Sequence, residues 1–283
     1  MALAAQTRGP QAELVSLLGR ELYPLPDTSG VVAKADAALA ADPGNLDRLL
    51  DAARARDLLL QFRESIAVYT KGLDTAPGDV RLYRMRGHRY ISIRSFDDAV
   101  RDLEQAAKLA SSSFDVSYHL ALAYYLRGEF ARAADEYGRC LAMSKAGAAL
   151  PPGWRSCAGL DDDTRVAAAD WRYRALRRAG RHDEARRLLD PIHEKMAVKE
   201  NESYYRALLF YKKLRSEEEV LSPATLQGTQ FATVGYGVAV HHLVEGNAAR
   251  ACALLREITS GPNWAAFGFI GAEVDLARQG VCR

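Results

Sequence analysis

A period of 34 residues runs through the middle of this chain. With residue 80 as the first position of one unit, further units begin at 46 and 114, with no gap on either side. Three segments also share a glycine followed five residues later by an alanine: GEFARAADEY from Gly128, GRHDEARRLL from Gly180 and GNAARACALL from Gly246. Each reads as a helix, a tight turn and a second amphipathic helix. A period of this length marks an architecture in which no unit buries its apolar face alone, so neighbouring units must stack.

Within the units the residue types keep their places. In the unit from 80, Tyr83, Gly87, Tyr90, Ala99 and Leu103 stand at the fourth, eighth, eleventh, twentieth and twenty-fourth positions. The unit from 114 has Ala121, Tyr124, Ala133 and Tyr137, and the unit from 46 has Ala53, Ser65, Tyr69 and a closing Pro77. This spacing resembles the tetratricopeptide repeat, with its W-x2-L-G-x2-Y, A-x3-F and P pattern. The resemblance implies an all-α fold: a right-handed solenoid of helix-turn-helix pairs with a C-terminal capping helix. Small residues at positions eight and twenty let the paired helices close together, while larger ones fill the space to the next unit. Arg86, at a position usually apolar in the family, departs from the pattern.

The frame predicts a single domain over 12–279 behind a flexible N-terminus, 1–11. Units are expected near 12–45, 46–79, 80–113, 114–147, 166–199 and 232–261. The first is degenerate, because Pro24 and Pro26 break its first helix and Asp27 or Thr28 is placed to cap its second. A Gly-, Pro- and Asp-rich insertion, 144–165, interrupts the series; 200–231 is irregular, and 262–279 forms the cap over the last unit.

In this family the first helix of each unit lines a concave groove that holds a peptide or a partner helix. Carried over by position, the resemblance places Arg54, Arg81, Arg84, His88, Tyr118, Tyr125, Arg174 and Arg177 on that groove. It also gives a role to RLYRMRGHRYISIR, residues 81–94, where Arg81, Arg84 and His88 share one helical face at i, i+3 and i+7. Arginines around a tyrosine floor suit an acidic or carboxylate-ended peptide. The alternative for these arginines is pairing with nearby carboxylates, with Asp97, Asp98, Asp102 and Asp115 at hand. A clamp for chaperone tails is not expected, since Arg54 and His88 stand where that clamp carries asparagine.

The function expected is therefore a non-catalytic protein-interaction scaffold whose partner is a protein or peptide, with a nucleic-acid-binding helical repeat as the alternative. A net charge of +2 argues against a wholly basic nucleic-acid binder. No phosphate-binding loop, GxSxG, HExxH or EF-hand pattern occurs, so no enzyme, cofactor or metal is expected. His241 and His242 are adjacent and point about 100° apart on a helix, and Asp161, Asp162 and Asp163 lack calcium-loop spacing. No run reaches the roughly eighteen apolar residues of a membrane span.

Cys140, Cys157, Cys252 and Cys282 contain no CxxC. Either they form the local disulfides Cys140–Cys157 and Cys252–Cys282, as an oxidising compartment permits, or they are buried thiols. The start Ala2-Leu3-Ala4 before a polar stretch has the shape of a signal-peptidase site. It leaves a periplasmic or secreted location open beside a cytoplasmic one, and with the composition it favours a bacterial source.

Overall fold

A computed structural model describes residues 11–145, 147–224, 226, 228–278 and 280–282. Residues 1–10 of the expected flexible N-terminus, with the Ala2-Leu3-Ala4 start, lie outside the described residues. The chain folds as an α-solenoid of successive antiparallel helix pairs. After a hairpin of β1 (Leu14–Val15) and β2 (Glu21–Leu22) and a helix α1 (Val31–Ala41), three pairs follow: α2 (Leu46–Leu58) with α3 (Phe62–Thr75), α4 (Val80–Ser92) with α5 (Phe96–Leu109), and α6 (Phe114–Arg127) with α7 (Phe130–Leu141). Then come α8 (Asp162–Arg178) with the short α9 (His182–Leu188), α10 (Glu202–Tyr211) with the one-turn α11 (Glu217–Val220), α12 (Gln230–Val244) with α13 (Ala248–Ser260), and finally α14 (Phe267–Ala277).

The period is written into the caps. Asn45, Asp79 and Ser113, 34 residues apart, stand just before α2, α4 and α6, and each side chain accepts a hydrogen bond from a first-turn N–H. Asp161 does the same for α8; each cap satisfies donors that the helix itself leaves orphaned. Between the helices of a pair the turn passes through the left-handed region, at Leu60, Arg94, Gly128, Gly180 and Gly246. The small positions are buried, Ala53, Ala99, Ala121 and Ala133 completely. At Gly87 a Cβ would stand 2.7 Å from Leu103 Cγ, so only glycine admits that approach. Arg86 keeps its irregular place because buried Asp102 on α5 accepts two bonds from its guanidinium, at 2.6 and 2.8 Å.

Two regions differ from the repeat frame. Residues 12–45 were expected as a degenerate helix pair; the chain instead forms the hairpin, pairing Leu14 with Leu22, and the single helix α1. Leu14 and Leu22 bury against the same core as Phe62, a contact that alternation in a strand supplies. Asp27 accepts from the N–H groups of Val31 and Val32, both at 3.0 Å, at the start of α1. The insertion is strapped along the start of α6: Phe114 N donates to Arg155 O, Cys157 N donates to Ser112 O, and Cys140 is disulfide-bonded to Cys157. A second disulfide joins Cys252 of α13 to Cys282.

The two ends of the solenoid meet. Leu17 N in the hairpin donates to Glu273 Oε1 on α14 at 2.6 Å, Arg20 donates to Thr259 O and Gly261 O, and Trp264 Nε1 donates to Tyr23 O. Trp264 also packs edge-on against Phe62, with ring centroids 5.5 Å apart. None of the helices is long and apolar enough to cross a membrane among the described residues.

Candidate functional site

The inner face of the solenoid is occupied by α14. Glu273 of α14 pairs with Arg94 at 2.7 Å, Asp275 pairs with Arg178 at 2.9 Å, and Arg278 just beyond the helix donates to Leu126 O at 2.8 Å. Phe267, its first residue, lies against the rings of His88, Tyr118 and His119. Arg94 and Arg178 of the repeats thus meet carboxylates of the protein's own C-terminal helix, while other arginines of the repeats pair with carboxylates elsewhere in the chain.

The residues expected on an open groove are accordingly dispersed. Arg54 is exposed and sits 3.4 Å from Asp51. Arg81 is held by Asp47 and Asp79, each at 2.7 Å. Arg84 faces Asp115 at 3.6 Å and leaves its Nε without a hydrogen bond. Tyr118 is buried and donates to the Tyr204 hydroxyl, and Tyr125 is buried beside Trp171 and Tyr236. Arg174 is 0% exposed and ion-paired to Asp170, with Tyr211 bonded to both. An open concave floor through Tyr118, Tyr125 and Arg174 is therefore not what the fold presents, because α14 and α12 cover it.

A small cavity of about 210 Å³ remains beside Phe267, lined by Arg84, Asp115, Tyr118, His119, Arg155 and Tyr204 among others. Its electrostatics are set by burial. The pKa of His119 is pulled down to about 3 by desolvation and then by the Arg84 charge, while its Nδ1 lies 2.6 Å from Asp115 O. His88 is likewise held well below the ordinary histidine value by burial, with Arg89 adding to it. Both rings are neutral at pH 7. Asp115 already lies against both cations here, so an outside anion has to displace it.

A larger cleft, about 650 Å³, opens where α8, α10 and α12 end and α9 begins. Arg177, one of the residues expected to bind, lines it and is joined by Tyr173, His182, Tyr211, Lys213 and His241. Tyr173 and Tyr211 stack with centroids 4.2 Å apart, and His241 lies parallel to Tyr211. Arg177 donates to Glu245 at 2.5 Å and to the Tyr173 hydroxyl at 3.0 Å. Lys212 Nζ is spent on the carbonyls of Asp190 and Ile192, whereas Lys213 has no ion-pair partner among the described residues. Buried Nδ1 of His241 makes no hydrogen bond, and burial lowers the pKa of that ring.

Repeat reasoning did not reach most of this cleft. Lys212 and Lys213 lie within the irregular segment, 200–231, where the frame fails; their signal was a pair of adjacent lysines in a chain with 30 arginines and 8 lysines. His242 turns away from the cleft to bond Glu217 at 2.7 Å. Asp161 caps α8, and Asp163 accepts from the N–H groups of Lys199, Glu200 and Asn201. Among the described residues no group of three His, Cys, Asp or Glu side chains is placed to hold a metal.

No family model matches the sequence, and no curated protein matches it. Among solved structures the chain is similar to two crystal structures of MamA at 21% identity in each. One has a TM-score of 0.45 over 56% of this chain and 81% of MamA, the other 0.46 over 68% and 87%. It is also similar to YrrB, described as a TPR protein with an unusual peptide-binding site, at 14% identity and a TM-score of 0.47 over 81% of this chain and 92% of YrrB.

Proposed function

We propose that this protein is a non-catalytic protein-interaction scaffold whose ligand is an acidic peptide segment, held in the cleft at the ends of α8, α10 and α12. One observation carries the reading: Arg177, Arg186, Lys212 and Lys213 line the cleft, and against these four cations stand two carboxylates, Glu245 in the lining, which holds Arg177, and Asp183, which holds Arg186. The C-terminal dipoles of three helices, about half a charge each, offset part of that excess without reversing it. The stacked Tyr173 and Tyr211 give a flat apolar floor, and the unbonded His241 Nδ1 offers a polar contact at its back. The two disulfides support work in an oxidising compartment.

The test is fluorescence anisotropy with a labelled peptide alternating Asp and Glu with Phe, against the same peptide carrying Asn and Gln. The acidic peptide is expected to bind at least about tenfold tighter, to weaken as salt rises, and to lose about tenfold on Lys213→Glu. Equal binding of the two peptides, or indifference to Lys213→Glu, rejects the reading.

A further inference from the structure

We propose that a second cavity, enclosed by the C-terminal end of α7 with α8 and α9, is a binding site for a small apolar group that ends in a carboxylate. It holds about 350 Å³, within the usual range of small-molecule sites. It shares no lining residue with the acidic-peptide cleft, so the inference stands apart from that reading. Leu141, Ala169, Leu188 and Ile192 give it apolar walls, and Arg165, Arg172 and Arg187 bring three guanidinium groups to it.

The three arginines are set apart from their neighbours. On and around the same helices Arg139, Arg174, Arg177, Arg178, Arg181 and Arg186 each hold a carboxylate. Arg165, Arg172 and Arg187 have no carboxylate within ion-pair distance among the described residues. Arg165 reaches only Leu160 O, at 3.4 Å. Glu184 also lines the cavity, but Arg181 takes both of its oxygens, at 2.7 and 2.8 Å.

Arg172 is the best placed of the three. Its Nε is buried and makes no hydrogen bond, and burial lowers its pKa. The guanidinium lies across Gly138 of α7, where an added Cβ would stand 2.8–3.1 Å from its atoms. On α8, Arg165, Ala169 and Arg172 follow at i, i+4 and i+7 and so share a face. The two arginines are about 10 Å apart along the axis, and the small side chain of Ala169 leaves the gap between them open. A buried N–H left without a partner weakens the fold; a carboxylate entering here supplies the partner in bidentate geometry, while its apolar body covers the leucine and isoleucine walls.

Ligand-observed NMR on the full chain tests this with four probes: octanoate, octanamide, N-acetylalanylleucine and inorganic phosphate. At least one of the two carboxylates is expected to bind, with octanamide and phosphate at least about tenfold weaker. The tighter carboxylate tells a free acid from the end of a peptide chain. Arg172→Met is expected to weaken binding at least about tenfold while leaving Tm unchanged or higher, because the buried Nε that it removes has no hydrogen-bond partner. Gly138→Ala, whose methyl has atoms of the Arg172 guanidinium as its three nearest neighbours, is expected to weaken binding with every charge retained. The proposal is overturned by absence of carboxylate binding, by octanamide or phosphate binding as tightly, or by an Arg172→Met protein that binds normally. A fall in Tm on Arg172→Met also overturns it, since that marks a structural arginine.

Discussion

At position fifteen of each unit, in the turn between paired helices, the backbone has positive φ whether or not the residue is glycine. Gly128, Gly180 and Gly246 adopt it freely, while Leu60 at 58° and Arg94 at 66° adopt it against a steric cost of about 1 kcal/mol. The glycine and alanine spacing was readable for that reason, and the turns at 60 and 94 were hidden by side chains that packing holds in place. Burial acts at the same scale on His88 and His119. Their folded pKa values lie below the unfolded value near 6.5, His119 at about 3. The unfolded chain therefore takes up protons first as pH falls, and the stability these rings contribute above pH 6.5 is lost below it. His119 should cost about 1.4 kcal/mol per pH unit between 6 and 4. Urea unfolding at pH 7, 6 and 5 should show His119→Leu with a pH slope shallower by that amount; an unchanged slope would mean that His119 is already charged in the fold.

Among elements, α12 and α14 approach closely enough that backbone meets backbone. A Cβ on Gly268 of α14 would stand 1.9 Å from the carbonyl oxygen of Ala232 in α12. Neither group is the end of a flexible side chain, so the helices themselves must separate. Gly268→Ala is expected to lower the unfolding free energy by about 3 kcal/mol or more, at or above the top of the usual overpacking range. Gly235→Ala, on α12 but facing α13, is the control: its nearest neighbour is an Ile258 side-chain carbon at 3.4 Å. It is expected to be neutral or stabilising by up to about 1 kcal/mol, since alanine loses less entropy in a helix. Similar losses from both in thermal or urea unfolding would remove the close crossing as the cause. A capping helix near 262–279 was foreseeable from the need to cover the last unit, but its crossing glycines had no period to reveal them.

For the whole molecule the decisive contact is Glu273, which joins hairpin, repeat turn and last helix through Leu17 N and Arg94. The carboxylate is fully buried and the Arg94 side chain is 3% exposed. Glu273→Gln leaves that guanidinium buried without its counter-charge and is expected to cost about 3–5 kcal/mol, read as a fall in the midpoint of urea unfolding. The double variant Arg94→Met, Glu273→Leu should recover much of the loss, because it removes both charges together. No fall in the midpoint on Glu273→Gln would show that the pair does not hold the ends of the solenoid together.

From residues 46 to 143 the sequence by itself determined helix pairs, their caps and their small-residue contacts, because each depends on neighbours at fixed spacing along the chain. It also supplied the chemistry of the inner face, arginines and tyrosines suited to carboxylates. Which carboxylates they meet was decided only by tertiary structure. The path from α9 to α12 brings α14 back against units 97 and 179 residues earlier, so that Asp275 reaches Arg178 and Glu273 reaches Arg94. No local period encodes that return. It follows from the summed turns of every helix pair, and it covers Arg174 while leaving Lys213 and the cavity of Arg172 open to a ligand.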